Sequence, residues 1–260
     1  MGKIICVVSG KGGVGKTTAT ANIGVSLSLL GKETLLIDAD LGLRNLDLAL
    51  GMQDSVMYDV LDVASGGCKT REAILKVPNA EHLSFMPAAQ FKDKTTLLEE
   101  DMRLVCDLVR EKFDYILIDC PAGLTETVRA AAACSDMAIV VVNPDPFSLR
   151  DGDRAAEIVT NAGVSDVKLI VNRFKKEMVQ NGKMLNILQV IEEMALQIVG
   201  AVPDDDSVML SVIESKPIAF NENEPCTKCY KDIALRLTGK AVPLTEIEPK
   251  KGFFKRLFHR

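Results

Sequence analysis

Residues 10–18 read GKGGVGKTT, set between the apolar run KIICVVS (residues 3–9) and a helical pattern running from Thr17 to Leu30. A strand that enters a glycine-rich turn and leaves it as a helix, in the form G-x-x-x-x-G-K-[ST], is a phosphate-binding loop. Gly10, Gly12, Gly13 and Gly15 let backbone N–H groups curl around phosphate oxygens, and Lys11, Val14 and Thr18 complete the expected binding segment. The helix N-terminus adds partial positive charge. Lys16 is expected to reach the β- and γ-phosphates, and the Thr17 hydroxyl to ligate Mg2+.

Working outward, six more short apolar runs follow: ETLLID (33–38), HLSFMPA (82–88), DYILID (114–119), DMAIVVVN (136–143), VKLIVN (167–172) and QIVGAVP (197–203). Their β-branched content marks strands buried on both faces. Helical patterns lie between them over Met102–Lys112, Leu149–Asn161 and Met184–Leu196. This alternation predicts an α/β fold, a mostly parallel twisted sheet with helices on both faces. One phosphate-binding domain is expected over 1–242, a proline-bearing tether over 243–249 and an amphipathic helix over 250–260.

Ligands of such sheets bind at the carboxyl ends of the strands, where this chain gathers its polar segments. Asp119 ends an apolar strand and is expected to hold Mg2+. Asp38 and Asp40 stand two apart, so an extended backbone points both the same way. One is expected to orient the attacking water and the other to support the metal shell. Lys11, taken alone, is equally well an exposed lysine with no task.

The form KGGVGKTT, with DAD after the second strand, resembles the deviant Walker A ATPases. The resemblance implies that Lys11 crosses a dimer interface to compensate charge on the partner's nucleotide, as an arginine finger does in trans. It also implies that Asn172, beside Arg173, bonds adenine and that the loop from Pro203 through Asp204 to Asp205 packs on the base. No guanine-reading N-K-x-D pattern occurs at NRFK (172–175), which favours ATP.

The last eleven residues, KKGFFKRLFHR, place Phe253, Phe254, Leu257 and Phe258 on one arc of roughly 140° of a helix. Lys251, Lys255, Arg256, His259 and Arg260 take the remainder. A cationic helix with a bulky apolar face suits a membrane interface. Each basic residue near an anionic bilayer contributes about 1 kcal/mol, while ordering each residue costs about as much. One tail is thus a marginal anchor, and two on a dimer gain about 10² to 10⁴ in avidity. A cytoplasmic protein, peripheral on the inner face of the cell membrane, is expected.

With this tail, DADLGLRNLDLALG (38–51), VMYDVLDV (56–63), NPDPFSLRDGDRA (143–155) and PDDDSVMLSV (203–212) narrow the resemblance to the septum-positioning branch of the family. That branch implies an ATP-dependent homodimer that recruits a division inhibitor, MinC, and is stimulated by a topological regulator, MinE or a counterpart. It also implies that Ser148 to Arg154 contribute to the dimer surface where partners bind.

Composition bears on the competing classes. Of 31 basic residues, five lie in the tail, leaving 26 against 36 acidic ones. That acidic body opposes a DNA-partitioning relative of the ParA type, whose phosphate contacts need clustered Lys and Arg. Trp is absent and aromatics are 5%, a poor base-stacking surface. Seven cysteines, an odd number, fit reduced thiols better than a disulfide framework. Cys226 and Cys229 form a C-x-x-C ahead of an expected helix over Lys231–Leu237, which leaves an iron–sulfur carrier of the Mrp type as a further alternative. The first strand leads into phosphate chemistry by Gly10, so no leader is expected. No apolar run reaches the roughly 18 residues of a membrane span.

Overall fold

The computed structural model describes residues 1–89 and 96–244. The expected membrane helix over 250–260 lies outside the described residues, as does the tether from residue 245 onward. The chain opens with β1 (Lys3–Val8), the phosphate loop, α1 (Lys16–Leu29) and β2 (Thr34–Asp38). Short helices α2 (Asn45–Leu50), α3 (Val60–Ala64) and α4 (Thr70–Ala73) lead to β3 (Leu75–Lys76) and β4 (Leu83–Met86). Then follow α5 (Glu99–Val109), β5 (Tyr115–Asp119), α6 (Glu126–Ala133), β6 (Met137–Val142) and α7 (Pro146–Asn161). The chain continues through β7 (Val167–Phe174), α8 (Lys176–Gln180), α9 (Ile187–Met194), β8 (Gln197–Pro203), α10 (Asp206–Ile213) and α11 (Pro225–Leu237).

Eight strands form one sheet in the order β3-β4-β2-β5-β1-β6-β7-β8. Every pairing is parallel except β3 with β4. β1 sits centrally between β5 and β6, so the loop that leaves it opens where successive connections go to opposite sides, the usual ligand crevice. All seven strands expected from the sequence are present, and β3 is an addition.

Successive side chains of a strand face opposite ways. Ile4, Cys6 and Val8 of β1 join one apolar cluster, with α5, α6 and α7, while Ile5 and Val7 join the other, with α1 and α11. Each fully buried aliphatic side chain contributes about 1.5–3 kcal/mol. Burial on both faces explains why these strands read as continuous apolar runs rather than alternating ones.

The last described helix departs from expectation. It begins at Pro225, not Lys231, because proline is well suited to a first helical position. Cys226, Cys229, Tyr230, Ile233, Ala234 and Leu237 recur at helical spacing and are all buried against α1 and β8. The pair Cys226/Cys229 therefore belongs to the core. Burial pushes both thiols up, Cys229 to about 12, whereas a metal site needs thiolates that a second chain's ligands can reach. Their burial in the core argues against the iron–sulfur alternative.

Candidate nucleotide site

The loop after β1 takes its shape from glycine. Gly13 and Gly15 adopt φ of +80° and +92°, conformations that cost a side chain about 1–2 kcal/mol. A Cβ on Gly15 would also lie 2.2 Å from Asn172 Nδ2. Gly15 is the N-cap of α1 and offers no side-chain cap, so the first N–H groups of that helix remain for an anion.

At the loop's floor, Lys16 Nζ donates to Asp119 Oδ1 at 2.7 Å and Thr17 Oγ1 donates to Asp119 Oδ2 at 2.7 Å. Thr20 Oγ1, one turn further along α1, donates to Asp119 Oδ1 at 3.1 Å. Both Lys16 and Asp119 are buried. Burial alone would lower the Lys16 pKa, but the charge and hydrogen bond of Asp119 outweigh it, and the ammonium is held above its ordinary value. Lys16 is thus held as an ammonium against Asp119. Thr20 is a site residue that sequence reading missed, although its spacing from Lys16 places it on the same helix face.

Asp38 and Asp40 stand in different surroundings, although both lie near Lys16 and Asp119. β2 ends at Asp38, so the extended geometry stops there. Asp38 is fully buried, and its two oxygens accept from the backbone N–H groups of Asp40 (2.9 Å) and Leu46 (3.2 Å). Burial and the neighbouring Asp119 charge push its carboxyl up to about 8. Asp38 ties the loop before α2 to the sheet. Asp40, half-buried, instead lines a cavity of about 560 Å³ with Lys11, Lys16 and Thr17. Its carboxyl is raised by burial, pulled back by Lys16 and raised again by Asp119.

Lys11 is exposed at the mouth of that cavity; its backbone carbonyl accepts from Ser9 Oγ at 3.0 Å. Leu43 and Leu48, both exposed, and Ala122 line the same mouth.

A second cavity of about 310 Å³ adjoins the loop and is lined by Gly15, Thr18, Asn172, Arg173, Pro203 and Asp204, with α10 as an apolar wall. Asn172 Nδ2 donates to Val14 O at 2.7 Å, which fixes the amide against the loop. Arg173 takes a left-handed φ of 56° at a bulge between β7 and β8. Lys175 Nζ pairs with Asp204 at 2.9 Å, and Asp205 caps α10 through Ser207 N. Apart from Gly10, the sequence-predicted loop and base-side residues line one or other of these two cavities. The structure adds Val208, Met209, Val212 and Ile213, to which the sequence reading gave no part in binding.

The donor set suits a hard cation shared with phosphate. Thr17 Oγ1 and the Asp119 carboxylate are neighbouring oxygens beside the loop, and Mg2+ is ordinarily held by one or two carboxylates plus substrate phosphates. Among the described residues no cluster of three His, Cys, Asp or Glu could hold an ion without such help.

On the opposite side of the loop, α7 begins with Pro146 and an Asp145 cap on Ser148 N. Ser148 and Leu149 face inward, while Phe147 (75% exposed) and Arg150 face out. The Asp151 backbone lies so close to Gly10 that a Cβ there would meet it at 1.9 Å.

Residues 2–184 match the model of a protein family described as an AAA domain. The septum site-determining protein MinD of Bacillus subtilis (strain 168) is 37% identical over 260 residues, covering 99% of this chain and 97% of its own. The MinC:MinD cell division protein complex of Aquifex aeolicus contains a chain that is 38% identical, with a TM-score of 0.87 over 94% of this chain and 98% of that one. MinD complexed with Mg-ADP from Pyrococcus horikoshii OT3 is 29% identical, with a TM-score of 0.79 over 91% and 96%.

Proposed function

Because this chain belongs to the MinD family of septum site-determining ATPases, we propose that it hydrolyses ATP with Mg2+ and positions the division septum by carrying a division inhibitor to the membrane. The observation that carries this reading is the buried Lys16–Asp119 pair, bonded to Thr17, beside a cavity that Asp40 and Lys11 also line. The loop N–H groups and Lys16 bind the phosphates, while Thr17 and Asp119 hold Mg2+, which neutralises phosphate charge when bound. Asp40 orients the attacking water. Asp38 acts one step back, as a positioning residue for the Asp40 loop. Asn172 keeps its Oδ1 for the base, since Nδ2 is committed to Val14 O. An acceptor there suits the amino group of adenine.

ATP favours a homodimer in which Lys11 of each copy reaches the other's nucleotide. An exposed Lys11 at an apolar-rimmed mouth supports that arrangement. Two copies bring two basic tails, and the pair holds an anionic bilayer that one tail holds weakly. Hydrolysis separates the copies and releases them. MinC docks on the α7 side of the dimer, and MinE or a counterpart stimulates turnover there. This supports a peripheral protein on the inner face of the membrane; no helix of the described residues is long and apolar enough to cross one. The relatives and the acidic body favour this reading over DNA partitioning.

Phosphate release with ATP, Mg2+ and anionic liposomes tests the chemistry. Asp40→Ala is expected to lower turnover by about 10²-fold, in the range of a water-positioning group, while ATP binding persists. Equal rates in the two proteins would remove Asp40 from the mechanism.

A further inference from the structure

One buried hydroxyl beside the phosphate loop has no part in the function proposed above. Thr20 lies one turn after Lys16 on α1, which packs against β5, and it is fully buried, as is Asp119 at the end of β5. Thr20 Oγ1 has two acceptors within reach, the backbone carbonyl of Lys16 at 3.0 Å and Asp119 Oδ1 at 3.1 Å. It lines neither cavity beside the loop, so it can act on a bound ligand only through Asp119.

Each oxygen of Asp119 has its own partners. Oδ2 accepts from Thr17 Oγ1, while Oδ1 accepts from Lys16 Nζ and Thr20 Oγ1. Among the described residues these three side chains donate to the carboxylate, and two of them have other work at the site: Lys16 on the phosphates and Thr17 on Mg2+. The last torsion of an aspartate is soft, so its hydrogen bonds decide which oxygen faces the loop.

We propose, on the reading of this cavity as a Mg2+–nucleotide site, that Thr20 is a positioning residue: its hydroxyl holds Asp119 Oδ1 inward and thereby keeps Oδ2 beside Thr17 Oγ1. A helical threonine can satisfy its hydroxyl on the carbonyl one turn back, and here that carbonyl belongs to Lys16. The carboxylate is the stronger acceptor, because hydrogen bonds to an ionised group are roughly twice as strong as neutral ones. One proton therefore serves two states. It is shared with the Lys16 carbonyl while Lys16 Nζ is bonded to Asp119, and it is committed to Oδ1 when the Lys16 ammonium turns to phosphate. A buried carboxylate oxygen left with no donor is costly, and Thr20 is the donor that phosphate does not draw away.

The test titrates the full chain with Mg2+ at a fixed concentration of fluorescent ADP, so no turnover is involved, and measures ADP affinity separately in EDTA. Thr20→Val keeps the branched shape and removes the donor. It is expected to need about tenfold more Mg2+ for half-maximal tightening, the lower end of what an orienting partner of a metal ligand contributes, with a much smaller change in EDTA. Thr20→Ser is expected to restore the parent half-point. Should Thr20→Val fail to fold, Thr20→Cys, a weak donor, is expected to shift the half-point in the same direction. A parent-like half-point in the folded variant, or equal weakening with Mg2+ and in EDTA, would overturn the proposal, since a purely structural threonine gives one or the other. ADP binding by the parent that ignores Mg2+ would instead overturn the reading of the site, and the role of Thr20 with it.

Discussion

Lys16, Lys11 and Asp38 each owe their place in the proposed function to where they meet water. Lys16 is buried on Asp119 and is a fixed charge; Lys11 is exposed and has freedom to reach another molecule. Lys11→Ala is expected to bind ATP as the parent does but to lose lipid-stimulated phosphate release by about 10³-fold, the scale of a charge supplied in trans. Parent-like stimulated release would make Lys11 an ordinary surface lysine. Asp38 has a different test, through pH. Its folded pKa of about 8 exceeds the unfolded value of about 3.9, so the folded protein keeps a proton that the unfolded chain releases. Its contribution to stability is full below the unfolded value and is lost as pH rises towards 8. Nucleotide-free Asp38→Asn, which never titrates, is expected to gain stability relative to the parent from pH 4 to 8 in thermal melts. Parallel profiles would contradict the burial argument.

At the scale of elements, legibility in the sequence tracked burial and length. Seven strands were readable because both faces are covered, which demands uninterrupted apolar runs. Helices of four to six residues, such as α2, α3 and α4, are too short to display a period, and β3 has two residues. The phosphate loop and Asp119 were readable because local chemistry dictates them. Thr20, the apolar wall of α10 and the different surroundings of Asp38 and Asp40 were not, since each depends on where a strand ends or which elements meet. The loop's two left-handed glycines separate local strain from tertiary contact. Gly13→Ala meets nothing within 4 Å and is expected to cost only the backbone penalty of about 1–2 kcal/mol. Gly15→Ala adds a collision with Asn172 and is expected to destabilise further and to weaken ATP binding. Equal thermal shifts and equal ATP affinities for the two variants would contradict that contact.

For the whole molecule, two segments far apart in sequence work together in the proposed function: the phosphate loop and a cationic, phenylalanine-rich terminus. The proposed dimer would connect them, by completing the nucleotide site and doubling the number of tails. The acidic body opposes an anionic surface, so in this proposal one tail works against the charge of its own domain and two together prevail. Sedimentation with anionic liposomes, run with ATP, with ADP and with neither, measures this coupling directly. The protein is expected in the pellet with ATP and in the supernatant in the other two conditions. Equal pelleting with ADP and ATP would contradict the account.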